Sequence, residues 1–159
     1  MSEDVIDRTE WSDVHRRVGH EVGVVLFTVL HFTEGGSRME RVYSSHPVEY
    51  PVGGSKDVAT EVSPDWIAIS RDAGTPYFGA TPADLERIFA DAELIRSLGC
   101  GSILNVPLKD AGGVTWATVN LCAAEGTYTP ERIDRVLEII AEGVRTAESE
   151  EERMPDESR

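Results

Sequence analysis

Apolar residues recur along this chain with two periods, and the switches between them mark its elements. Trp11, Val14 and Val18 fall at i, i+3 and i+7, one face of a helix over residues 9–20. Thr9 suits its cap, and Glu10 and Asp13 lie near the positive end of its dipole. Residues 22–33 are apolar on both alternations: Val25, Phe27 and Val29 on one side, Val24, Leu26, Leu30 and Phe32 on the other. A strand buried on both faces reads this way, which puts it in the middle of a sheet. After a turn at Glu34-Gly35-Gly36-Ser37, residues 38–45 set Met39, Arg41 and Tyr43 against Glu40, Val42 and Ser44, a strand with one wet face at the sheet edge. The stretch from Tyr43 to Lys56 carries two prolines and the Gly53-Gly54 pair and predicts a loop.

Ser63-Pro64 and Thr81-Pro82 are helix-start signals, the second with Asp84 placed as in a capping box. The first opens a short helix to about residue 72. The second opens an amphipathic helix whose stripe is Leu85, Ile88, Phe89, Ala92 and Ile95, ended by Gly99. A short strand, residues 75–79, lies between them. Residues 102–108 and 114–121 are two strands joined by a turn carrying Asp110, Gly112 and Gly113, a hairpin signal. Thr129-Pro130 starts a last helix with Ile133, Val136, Leu137, Ile140, Val144 and Ala147 as its stripe. The two hairpins make the sheet mainly antiparallel and the class α+β.

The chain has 159 residues, 40% of them hydrophobic and 28% charged, which suits one soluble domain with a real core. The expected division is a flexible N-terminus at 1–8, the domain at 9–147 and an acidic disordered tail at 148–159. No apolar run approaches the ~18 residues needed to span a bilayer, and the start shows no basic-then-apolar leader pattern, so a cytoplasmic location is expected. A formal net charge of −14 disfavours nucleic acid and anionic membranes as partners, because binding phosphates needs a basic surface. Two cysteines without a CxxC spacing give neither a disulfide scaffold nor a zinc site. Gly53-Gly54-Ser55-Lys56 lacks the spacing of a phosphate-binding loop. No metal and no cofactor is expected.

The segment Cys100-Gly101-Ser102, Val106-Pro107-Leu108, Gly112-Gly113 and Ala117-Thr118-Val119-Asn120-Leu121 resembles the last hairpin of a GAF domain. The order of elements over roughly residues 10–147 matches the same family. That resemblance implies a central antiparallel sheet of five or six strands with the terminal helices on one face, often as a dimer interface. It implies loops and middle helices closing a ligand pocket on the other face. Free methionine-R-sulfoxide reductases, a distantly similar enzymatic branch of the family, use cysteines upstream of the Val-Pro strand and acidic residues on the last strands. Here there is no Cys before Cys100, and Ile103 and Asn120 are not acidic.

If Leu108 pairs with Val114, the hairpin sets Cys100 opposite Cys122, Ser102 opposite Asn120 and Leu104 opposite Thr118. The polar residues then share one face, and a one-residue slip reverses this. The reading is a sensory or regulatory domain that binds a small organic molecule and forms a homodimer through its first and last helices. Its candidate ligand-binding residues are Tyr43, Ser44, Tyr50, Asp91, Cys100, Ser102 and Asn120. Tyr43 and Tyr50 would stack and donate, and Ser102 and Asn120 would orient the ligand. Two alternatives stand beside it: a small reductase or isomerase using Cys100, and a dimeric interaction module without a ligand.

Overall fold

A computed structural model describes residues 2–153. Helix α1 (Ser2–Arg8) is followed by α2 (Trp11–Glu21), then strands β1 (Leu26–Thr33), β2 (Arg38–Ser44) and β3 (Ser55–Asp57). Two four-residue helices come next, α3 (Val58–Glu61) and α4 (Pro64–Ile67), the latter running into a wider turn over Ala68–Asp72. Strand β4 (Tyr77–Gly79), helices α5 (Pro82–Ile88) and α6 (Ala92–Ser97), the hairpin β5 (Ser102–Lys109) and β6 (Thr115–Ala123), and the long helix α7 (Pro130–Arg153) complete the chain. The six strands form one antiparallel sheet in the order β3-β2-β1-β6-β5-β4. The class is α+β, as the hairpins require.

β1 is central, as its two apolar faces demand. β2 is not the edge: β3 pairs outside it, Met39 opposite Lys56. On one face, Phe27, Val29, Leu104, Val119 and Leu121 pack against Trp11, Val14 and Val18 of α2 and Val136, Ile139 and Ile140 of α7 in one continuous core. On the other face the loops and helices α3–α6 form the cover, and the apolar packing divides into two clusters, one around Leu85, Ile95 and Ile103 and one around Met39, Trp66 and Ile67.

Three expectations about the helices are revised. The N-terminus expected to be flexible is helical over Ser2–Arg8, because Val5 and Ile6 are buried in the first core and the Trp11 indole N–H donates to the Ile6 carbonyl at 2.9 Å. Thr9 is not the cap of α2; its hydroxyl donates to the Val5 carbonyl at 2.7 Å. The last helix continues past Ala147 to Arg153, carried by glutamates, good helix formers that need no buried face. Residues 154–159, the rest of the tail expected to be disordered, lie outside the described residues.

The hairpin register also differs from the one expected. Asp110 folds the turn tightly: its carboxylate accepts from the N–H groups of Gly112 at 2.9 Å and Val114 at 3.0 Å, and the strands resume with a bulge next to Lys109. Asn120 therefore faces Asn105, Cys122 faces Ile103, and Ser102 faces Ala123. The displacement is odd-numbered, so Ser102 is on the helix-covered face and Asn120 on the other.

Candidate functional site

Between the sheet and the cover lies a cavity of about 150 Å3. Its floor is the even-numbered face of β1 and β6, with Leu26, Thr28 and Leu30 beside Asn120 and Cys122, extended by Met39 and Arg41 of β2 and Ile103 and Asn105 of β5. Trp66, Ile88, Phe89, Asp91 and Ile95 form the cover, and Lys56, Glu61 and Ala90 are at the mouth.

The cover reaches over the floor because the expected single helix of residues 82–98 breaks. Thr81 and Asp84 make a reciprocal capping box that starts α5. Phe89 then turns extended, at φ −107° and ψ 121°, and α6 begins only at Ala92. The break brings Ile88, Phe89 and Asp91 together at the cavity wall. Across the mouth, the Tyr50 hydroxyl donates to Asp91 Oδ2 at 2.6 Å, tying the loop after β2 to the start of α6. Burial, and then this bond, push the Tyr50 hydroxyl far above the usual tyrosine range, so it stays a donor.

The floor carries a polar relay whose direction is fixed by chemistry. An indole N–H can only donate. The Trp66 Nε1 donates to Asn105 Oδ1 at 2.9 Å, so the Asn105 amide nitrogen points the other way and donates to Asn120 Oδ1. The relay leaves the Asn120 amide nitrogen as its free end, and no described hydrogen bond engages it.

Arg41 is the charged residue of the floor. It is 9% exposed, with its guanidinium 5.2 Å from the centre of the Tyr50 ring. The one described hydrogen bond of its guanidinium runs from Nη1 to the Pro51 carbonyl at 3.1 Å, and its Nε is buried without an acceptor. Among the described residues no carboxylate lies within ion-pairing distance of it. Burial lowers the Arg41 pKa from its ordinary value, while Tyr50 and Asp91 nearby pull it back up. The Gly53-Gly54 loop is clamped onto the same residue: Gly53 N–H donates to the Arg41 carbonyl and Arg41 N–H to the Gly54 carbonyl, both at 2.8 Å. A Cβ on Gly54 would meet Arg41 Nη1 at 2.9 Å and the Pro51 carbonyl oxygen at 3.2 Å, so a side chain there would push the guanidinium aside.

Of the seven candidate residues, Tyr50, Asp91 and Asn120 line the cavity, and four do not. Tyr43 lies on the helix-covered face because of a bulge between Val29 and Leu30; its hydroxyl meets His15 Nδ1 at 3.0 Å and its ring packs edge-on against Phe27. The Ser44 hydroxyl accepts from the His46 N–H at 3.0 Å. Ser102 is buried and donates to the Ala123 and Ala124 carbonyls at 3.2 and 3.1 Å, an effect of the register. Cys100 is buried behind the cavity wall, and Cys122 lines the cavity instead. The proximity of the two thiols raises the Cys122 pKa and lowers that of Cys100. Both are free thiols. The residues not anticipated are Arg41, Trp66 and Asn105.

No family model and no curated protein sequence matches the chain. Solved structures do. A GAF domain/HD domain protein from Geobacter sulfurreducens superimposes with a TM-score of 0.67 at 10% identity, over 92% of this chain and 94% of that one. The GAF domain of a two-component sensor histidine kinase from Bacillus halodurans gives 0.60 at 14% identity, over 88% and 97%. A GAF domain from Synechocystis sp. PCC6803, in its photoproduct state, gives 0.63 at 13% identity, over 88% and 92%. Among the described residues no helix is long and apolar enough to cross a membrane, and no group of His, Cys, Asp and Glu is arranged to hold a metal ion. Likeness at this level of identity establishes architecture, and the architecture of this chain is that of a GAF domain.

Proposed function

We propose that this chain is a sensory GAF-fold module that takes up a small organic molecule in the cavity between its sheet and the α3–α6 cover. The observation that supports this is a mostly apolar hollow with a few convergent polar groups, which is how small-molecule sites are built. A void of about this size, when apolar, accommodates a molecule on the order of benzene, so the ligand is compact. GAF domains of similar fold occur in a sensor histidine kinase and in a photoconverting protein, which supports the sensory role. The Tyr50–Asp91 bond spans the mouth, so an occupant that moves either wall is felt by the loop after β2 and by α6. Pairing of two copies through α2 and α7 belongs to the same reading.

Native mass spectrometry of freshly purified protein, beside a denatured sample, tests it. The expected result is added mass in the native ion only, lost when the exposed mouth residue is blocked by Ala90→Trp. The same spectrum reads the dimer. An unliganded mass, together with a Trp66 indole resonance that no compound of a fragment library moves, would overturn the proposal.

A further inference from the structure

Two polar side chains on the cavity floor, Arg41 and Asn120, have unused N–H donors. Arg41 offers a guanidinium with five N–H donors, of which one meets the Pro51 carbonyl. The Asn120 amide nitrogen is the free donor end of a relay whose direction Trp66 sets. Asp91, the nearby acceptor, already takes the Tyr50 hydroxyl on one oxygen. A buried cation whose nearby carboxylate, Asp91, makes no ion pair with it is an expensive arrangement, and the Tyr50 ring over Arg41 is a weaker partner than a carboxylate.

Both donors rise from the cavity face of the strands that flank β1. Arg41 stands opposite Leu30 on β1, and Asn120 opposite Thr28, the next residue of β1 on the same face. Between and above them are Leu26, Leu30, Met39, Ile88, Phe89 and Ile103, which offer no hydrogen bonds from their side chains. The site is therefore a floor with spare donors under a mostly apolar roof, with Asp91 tied to Tyr50.

We infer that the cavity's occupant is a small monocarboxylate with a compact apolar body, its carboxylate held by the Arg41 guanidinium and its body packed under Phe89 and Ile88. This rests on the ligand-binding reading above and adds the ligand's charge and its anchor. The Asn120 amide gives a second donor to whichever acceptor reaches it. The loop at Gly53-Gly54 fixes Arg41 from behind through two backbone hydrogen bonds, so the anchor is held in place before the ligand arrives.

Matched acids and amides test this: benzoate against benzamide, phenylacetate against phenylacetamide, and 4-methylpentanoate against 4-methylpentanamide, titrated at pH 7.5 into the full chain. The readout is the Trp66 indole N–H resonance. Trp11 and Trp116, in the core on the opposite face, are internal controls that should not move. At least one acid is expected to shift Trp66 with a Kd tenfold or more below that of its amide, the size expected for one hydrogen-bonded charge. Arg41→Gln should bring acid and amide level; should that variant not fold, the wild-type pairs decide alone. Amides that bind as well as or better than their acids would overturn the carboxylate inference and leave ligand binding standing. A panel in which no compound moves Trp66 would overturn both.

Discussion

On β1, Phe27 and Val29 are fully buried against the helices, while Leu26, Thr28 and Leu30, one residue away along the same strand, border the cavity. β6 repeats the division, with Val119 and Leu121 on the packed face and Asn120 and Cys122 on the hollow one. The packed face is one continuous core and the hollow face two clusters with space between them. Alternation along a strand thus separates two duties: every second residue holds the fold, and the residues between are free to carry polar groups. Of the buried polar strand residues, Thr28, Asn105 and Thr118 belong to the hollow side, while Ser102 on the packed side is satisfied by the Ala123 and Ala124 carbonyls.

The contrast is sharpest where a side chain is removed. Leu121→Ala, on the packed face, should cost about 2–5 kcal/mol in urea unfolding, since helices and strands pinned on all sides cannot collapse into the gap. Next comes Asn105→Ala, the point where the hollow face behaves like a core. It leaves the Trp66 indole without its acceptor and should cost about 1–3 kcal/mol, with a large movement of the Trp66 indole resonance. A smaller loss in Asn105→Ala than in Thr28→Val, whose hydroxyl makes no described hydrogen bond, would break the account of the relay.

Adding atoms separates the faces from the other direction. A Cβ on Gly143 of α7 would lie 2.6 Å from Val14 Cγ2. Gly143→Ala should therefore lose about 1 kcal/mol by differential calorimetry, because overpacking outweighs the gain in helix propensity. A stabilised variant would mean that α2 and α7 have slack between them. The smallest effect concerns His15, stacked on Phe27 at 5.1 Å. Burial, and then the proximity of His46, lower its pKa below the ordinary 6.5. The folded protein thus binds this proton less readily than the unfolded chain, so stability present above that value falls as pH drops through the folded pKa. Tm should decline from pH 7.5 to 5.5, and less steeply in His15→Gln.

Much of this was legible in the residues. The period-two runs located β1, β2, β5 and β6, and the Val-Pro-Leu and Asn-Leu letters of the hairpin pointed to the fold that the solved structures share. Tyr50, Asp91 and Asn120 were recognisable because each is a polar group next to a break in regular structure or on a strand of the hairpin. What was not legible depended on distant contacts. Arg41 reads as a solvent residue until β3 and the Gly53-Gly54 loop cover its strand. Ser102 and Asn120, expected to share a face, are put on opposite faces by a turn that the Asp110 carboxylate tightens, and turn length alone does not set that register. The helix break at Phe89 interrupts a stripe that looks continuous, because Ile88 and Phe89 serve both apolar clusters of the hollow face. The relay from Trp66 pairs residues from three separate segments, and no local pattern announces it.

The sheet ends on both sides in a strand of three residues, Ser55–Asp57 and Tyr77–Gly79. An unpaired sheet margin invites another chain to add itself by backbone hydrogen bonds, the opening step of aggregation. Here each margin presents too few backbone groups to template a long intruding strand, and one of them displays Lys56 and Asp57, whose charges discourage stacking. The interior strands, long and rich in β-branched residues, are the segments most able to form fibrils, and they are the ones kept away from either margin. A chain with a hollow beside its sheet gives up packing there, and its guarded margins keep that loss from becoming self-association.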